Sequence, residues 1–99
     1  MKIINTQFNG LKIIKGVNHY DNRGFFRETF KNSLFKKKKF IFWCLSKSKK
    51  KVIRGLHLQK KFQQDKFVSV VQGKIFDVAL DLRRNSRTFG KYFSIILSN

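Results

Sequence analysis

Proline is absent from the chain, cysteine occurs once, and acidic residues number only five. Each shortage removes a class of explanation. Without proline, internal repeats or a glycine- and serine-rich linker, nothing marks a boundary, and residues 1–99 read as one small domain. The lone Cys44 excludes an internal disulfide and agrees with a reducing, cytoplasmic setting. No apolar run approaches the length of a membrane span, and the opening MKIINTQFNGLKII is too broken by polar residues for a signal peptide. A soluble protein without a membrane partner is therefore expected. His19 and His57 are the two histidines, and no His-x-His pair is present, so no metal site is expected. Glycine-rich phosphate loops and a hydrolase nucleophile motif are missing as well.

What is abundant is positive charge and phenylalanine. Lysine and arginine total 23, the formal net charge is +18, and there are 12 Phe. Such a charge attracts phosphate, whether in a nucleic acid or a nucleotide. The lysine runs at 36–39, 49–51 and 60–61 fall between apolar segments, where solvated loops belong. Basicity of this kind speaks to solubility and non-specific binding rather than to fold. A nucleic-acid-binding β-module therefore rests on charge and aromatics alone.

The apolar pattern is one of short strands. Residues 2–5 and 11–15 are two such segments joined across Asn9-Gly10, a dipeptide suited to the positive φ of a hairpin turn. The aromatic stretch 23–30 fits a strand or an aromatic-rich loop. Residues 32–39 fit a short helix with Asn32 as its cap. Strands are expected at 40–45, 52–59, 67–72, 74–82 and 92–97. In 74–82, alternation puts Phe76, Val78, Leu80 and Leu82 on one face and Ile75, Asp77, Ala79 and Asp81 on the other. Many short strands separated by turn signals predict an all-β sandwich or barrel.

Arg54, His57 and Lys66 are the polar groups best suited to chemistry. A histidine in an apolar stretch serves as a proton acceptor near neutral pH. A lysine or arginine beside it can hold an oxyanion or a phosphate. Together they suit proton abstraction next to a carbonyl. The plainer reading is a hydrogen-bonded His57 with cations facing water. Strict alternation also sets Arg54 and His57 on opposite faces, so their convergence requires a bulge or a strand end. Asp77 and Asp81 could orient a histidine, but pairing with nearby lysine or arginine is preferred.

Three strings in register carry a family resemblance: DNRGFFRETF at 21–30, VIRGLHLQ at 52–59, and DKFVSVVQGKIFDVALDLRRNSRTFGKYFSIILS at 65–98. They closely resemble dTDP-4-dehydrorhamnose 3,5-epimerases. Gln59 stands where related cupin ketoisomerases carry a second histidine, which favours the epimerase branch. The resemblance implies a metal-independent cupin-like jelly roll (a double-stranded β-helix) with at most a short helix, truncated on its C-terminal side. It implies epimerisation at C3 and C5 of dTDP-4-dehydro-6-deoxyglucose in deoxysugar biosynthesis, through an enolate and without a cofactor. By position, His57 matches the general base and Lys66 a lysine suited to the enolate oxygen. Arg54 and Gln59 match substrate-contacting positions, Arg23 and Glu28 match positions that bind the dTDP portion, and Phe26 matches a place against its base. The implied partners are the dTDP-sugar and either a second copy or a complementing C-terminal fragment.

The chain also departs from the family pattern. Phe42, Trp43, Cys44 and Leu45 replace a Gln/Asn-containing segment, Lys60-Lys61-Phe62 a proline-rich one, and Ser69 an arginine. The family's tyrosine acid, its second histidine and the carboxylate orienting the base are expected beyond Asn99. Tyr92 does not take the tyrosine's place. A non-catalytic sugar-nucleotide-binding remnant is accordingly the alternative reading.

Overall fold

A computed structural model describes residues 1–35 and 37–99. Among the described residues the regular secondary structure is β, apart from one turn of 3-10 helix. It consists of three antiparallel pairs: β1 (Lys2–Asn5) with β2 (Lys12–Lys15), β3 (His19–Asp21) with β4 (Gly24–Phe26), and β5 (Lys74–Leu80) with β6 (Tyr92–Ser98). Among the described residues no helix is long and apolar enough to cross a membrane. The chain divides into two compact units, one made of Met1–Lys31 and Val68–Asn99, the other of Asn32–Phe67.

The first unit holds all six strands. The first pair aligns Ile3 with Ile14 and Ile4 with Ile13, a β-branched ladder of the kind that packs well on a pleated surface. The expected Asn9-Gly10 turn is present. Gly10 takes φ +88°, and the Thr6 hydroxyl donates to Leu11 O at 2.9 Å and accepts from Phe8 N at 3.1 Å. This loop turns Phe8 inward until it is only 3% exposed. Phe8 is the single buried hydrophobic side chain among the described residues, and its ring meets that of Phe93 edge-on at 6.2 Å.

The second pair turns at Asn22-Arg23. The Asp21 carboxylate accepts from Arg23 N at 2.8 Å, and Gly24 takes φ +133°. Of the stretch 23–30, only Gly24–Phe26 is strand. The partner strand β3 has no counterpart in the sequence expectations.

The third pair is the longest, with Asp77 opposite Ile95 and Ala79 opposite Phe93. The covered face carries Asp77, Ala79, Phe93 and Ile95. The face with Phe76, Leu80, Tyr92 and Ile96 stays open, and Phe76 is 71% exposed. Beyond β5 the ladder continues through Asp81 N to Lys91 O at 2.9 Å, and the chain then enters a polar loop.

That loop closes on Asp81. Its Oδ1 accepts from Arg83 N and Nε at 3.0 and 2.9 Å, and its Oδ2 from Arg83 Nη2 at 2.9 Å and from the Ser86 and Thr88 hydroxyls at 2.6 Å. Arg83 first, then Ser86 and Thr88, hold this buried carboxyl far below its usual 3.8. Of Asp77 and Asp81, both expected to pair with a neighbouring cation, Asp81 is shown to do so. A depressed carboxylate pKa adds stability that is complete above the unfolded value and fades as the pH falls beneath it. Protection factors of the Ser86, Phe89 and Lys91 amides are expected to hold at pH 5 and drop below about pH 3.8. Asp81→Asn should give low protection at every pH, and a variant as protected as the parent would refute the role of the carboxylate.

The second unit has little regular structure. Asn32–Phe35 forms the 3-10 turn within the expected helix 32–39, of which Lys36 lies outside the described residues. The rings of Phe35, Phe40 and Phe67 lie 5.1 to 6.3 Å apart and tie the ends of the unit together. Lys38 Nζ meets Asp65 Oδ2 at 2.7 Å.

Three expected strands are not formed. Residues 40–45, 52–59 and 67–72 are irregular and mostly exposed. Their apolar, β-branched composition fits a sheet surface. A strand, however, exists only when its backbone groups join a ladder, and among the described residues no strand pairs with these segments.

Candidate functional site

The candidate residues divide between the two units. Arg23, Phe26 and Glu28 belong to the first; Arg54, His57, Gln59 and Lys66 belong to the second. In the first unit the β3–β4 turn presents Arg23, whose guanidinium folds back on Asp21 through Nη2 at 2.6 Å and Nε at 3.2 Å. That pair lowers the Asp21 pKa, with Arg23 as the main cause. Phe26 ends β4 opposite His19 with its ring exposed. Glu28 faces Lys31, three residues on, at 3.8 Å. These side chains are solvated, so their ion pairs contribute little to stability.

In the second unit Arg54 is anchored locally: Nε donates to Ser48 Oγ at 2.8 Å and Nη2 to Lys47 O at 3.0 Å. The segment 52–59 is not a strand, and Gly55, with φ +108°, interrupts the alternation that would set Arg54 and His57 on opposite faces. His57 lies beside Gly55. A Cβ built on Gly55 would stand 3.3 Å from His57 N and 3.6 Å from His57 Nδ1. Gln59 and Lys66 are exposed, and Lys66 follows the Asp65 that pairs with Lys38.

The best-connected polar cluster is Asp81 with Arg83, Ser86 and Thr88, which sequence reasoning had singled out only at Asp81. A signal was present in the spacing: a carboxylate ends an alternating apolar strand, and donors follow at two, five and seven positions. Arg83 Nη1 also donates to Asn9 O at 2.8 Å, tying the β5–β6 loop to the first hairpin. A cleft of about 440 Å³ opens there between Gln7, Asn9, Arg83, Asn85 and Arg87. It contains none of the residues picked for catalysis or substrate binding.

Comparison with known proteins gives the decisive observation: residues 5–99 match the family described as dTDP-4-dehydrorhamnose 3,5-epimerase. The chain belongs to the dTDP-4-dehydrorhamnose 3,5-epimerase family. It is 44% identical to the epimerase of Neisseria gonorrhoeae, with 99% of this chain matched to 31% of that protein. It is 40% identical to the epimerase of Methanothermobacter thermautotrophicus, again over 99% of this chain and 55% of the relative. The crystal structure of the epimerase from Elizabethkingia anophelis NUHP1 superposes with a TM-score of 0.80 at 37% identity. That match covers 99% of this chain and 57% of the other. The three two-stranded sheets are thus part of the epimerases' cupin-like, all-β fold. The chain spans between about a third and just over half of the length of these relatives.

Proposed function

We propose that this chain supplies the proton-abstracting part of a dTDP-4-dehydrorhamnose 3,5-epimerase site. The observation carrying this reading is the family match across residues 5–99, which includes every candidate residue from Arg23 to Lys66. In the proposed reaction the neutral His57 imidazole removes a carbon-bound proton beside the C4 ketone of dTDP-4-dehydro-6-deoxyglucose. The electron pair moves into the ketone oxygen, and the Lys66 ammonium stabilises the enolate. A proton returned on the opposite face of that carbon inverts it. Repeating the step at the other carbon beside C4 completes the epimerisation, with no change in redox state. Arg54 and Gln59 contact the sugar nucleotide, Arg23 and Glu28 its dTDP portion, and Phe26 stacks on the base.

The group that returns the proton is proposed to lie in the stretch of the relatives that this chain does not match. That stretch could be joined to it, carried by a separate fragment, or contributed within a homodimer. A cytoplasmic setting suits a nucleotide-sugar substrate. A binding remnant without proton exchange is favoured by one observation: Phe42, Trp43 and Leu45 lie exposed where the family pattern carries polar nucleotide contacts.

Solvent-deuterium incorporation at C3 and C5 separates the readings. The chain mixed with the complementary C-terminal half of a relative is expected to exchange both positions, while either half alone exchanges far more slowly. Binding of dTDP by the mixture with no exchange would establish the remnant reading instead.

A further inference from the structure

A lysine steadies a developing oxyanion only if its ammonium is within reach when the charge appears, and a flexible four-carbon stem does not ensure that. Lys66 is exposed and lies outside every strand, so no sheet ladder holds its backbone. The residues on either side of it are held, and a single turn of chain holds both.

Asn32–Phe35 forms the 3-10 turn, and Lys38 N donates to Phe35 O at 2.7 Å. Phe35 and Lys38 are thereby carried on one short piece of backbone. The half-buried Phe35 ring meets that of Phe67 edge-on at 5.5 Å, and Phe40 meets the same ring at 6.3 Å. Lys38 Nζ meets Asp65 Oδ2 at 2.7 Å. Positions 65 and 67 are gripped, and position 66 is left between them.

The two grips differ in kind. The ring contacts are apolar and directional. The ion pair is largely solvated and adds little stability by itself. Its effect lies in which cation the carboxylate takes. Asp65 directly precedes Lys66 and would be a ready trap for that ammonium, but Lys38 occupies it.

We propose that the turn carrying Phe35 and Lys38 is a clamp that positions Lys66: the rings fix the backbone after it, and Lys38 fixes and occupies the carboxylate before it. The inference rests on reading Lys66 as the group that stabilises the enolate. Lys38 and Phe67 are positioning residues in this scheme, acting on the reaction only through Lys66.

The test is nitrogen-15 relaxation of the Lys66 amide in the 99-residue chain, comparing the parent with Lys38→Ala, Lys38→Arg and Phe67→Ala. The parent order parameter is expected near about 0.85, typical of rigid backbone, falling toward about 0.6 in both alanine variants and recovering in Lys38→Arg. The Arg54 Nε signal, which reports the contact with Ser48 elsewhere in the unit, should stay in place in Lys38→Ala. A Lys66 amide as ordered in Lys38→Ala as in the parent would overturn the proposal. So would one already mobile in the parent, or an Arg54 signal lost together with the order at Lys66.

In the complemented exchange assay, Lys38→Ala should lower kcat about 10-fold with KM unchanged, short of the roughly 10²-fold of a full ångström's misplacement. Lys38→Arg should restore it. Added to Lys66→Ala, Lys38→Ala should cost nothing further, and an additional loss there would show that Lys38 acts by another route and overturn the clamp. If Lys66→Ala exchanges as fast as the parent, the reading of Lys66 as the enolate's countercharge is what fails, and the order of its amide alone decides the clamp.

Discussion

Replacing His57 with alanine in the complemented chain is expected to reduce deuterium exchange at C3 and C5 by about 10² to 10⁴-fold, the usual contribution of one positioned acid–base group. Binding of dTDP should be retained, because the contacts proposed for the nucleotide come from other side chains. The physical case is selective. An imidazole is poised to accept a proton near neutral pH, whereas Arg54 and Lys66 are cations with no lone pair to offer. Lys66→Ala should also slow exchange, since the enolate oxygen would lose its countercharge, but it should leave a base in place. The double variant should therefore fall well short of the product of the two single losses if both act on one step. Undiminished exchange in His57→Ala would move the base to another residue and undo the proposed assignment.

Phe8→Ala is expected to remove about 3–5 kcal/mol of stability, the range for truncating a buried phenylalanine. In a small domain that is a large share of the total. The expected effect is large because Phe8 has no substitute: it is the one buried hydrophobic side chain among the described residues and seats against Phe93. Urea unfolding followed by far-ultraviolet circular dichroism would measure it. Phe76→Ala is the matched control, since its ring is already in water and its loss should change stability by no more than about 0.5 kcal/mol. Equal shifts for the two variants would mean that Phe8 does not anchor the first unit.

The elements legible in the sequence are those whose partners lie close by along the chain. Lys2–Asn5 and Lys12–Lys15 were readable because an Asn-Gly turn joins two β-branched runs. Lys74–Leu80 was readable through alternation, and Tyr92–Ser98 as a short apolar run after the polar loop. The pattern at 52–59 is equally apolar, yet it forms no strand, because composition reports a preference for a sheet surface and cannot supply the neighbouring backbone. The His19–Asp21 strand was too short to show any period.

Site residues followed the same division. Histidine, lysine and arginine could be chosen by chemistry, and Asp81 could be paired with a cation by proximity. The turn at Gly55 could not be read from its letters, since a glycine's φ depends on the surrounding chain. Nor could the return of Arg83 to Asn9, which joins residues 74 positions apart.

That last contact, with the ring of Phe8 on Phe93, also bears on the order of folding. All three strand pairs link neighbours along the chain, so each can zip with only a short loop to close. Bringing the first hairpin onto the last sheet is different: it requires closing most of the polypeptide, with its loop entropy lost before any contact repays it. The hairpins are therefore expected to form early and independently, and Phe8→Ala is expected to slow folding in stopped-flow measurements because the rate-limiting search ends when Phe8 reaches Phe93.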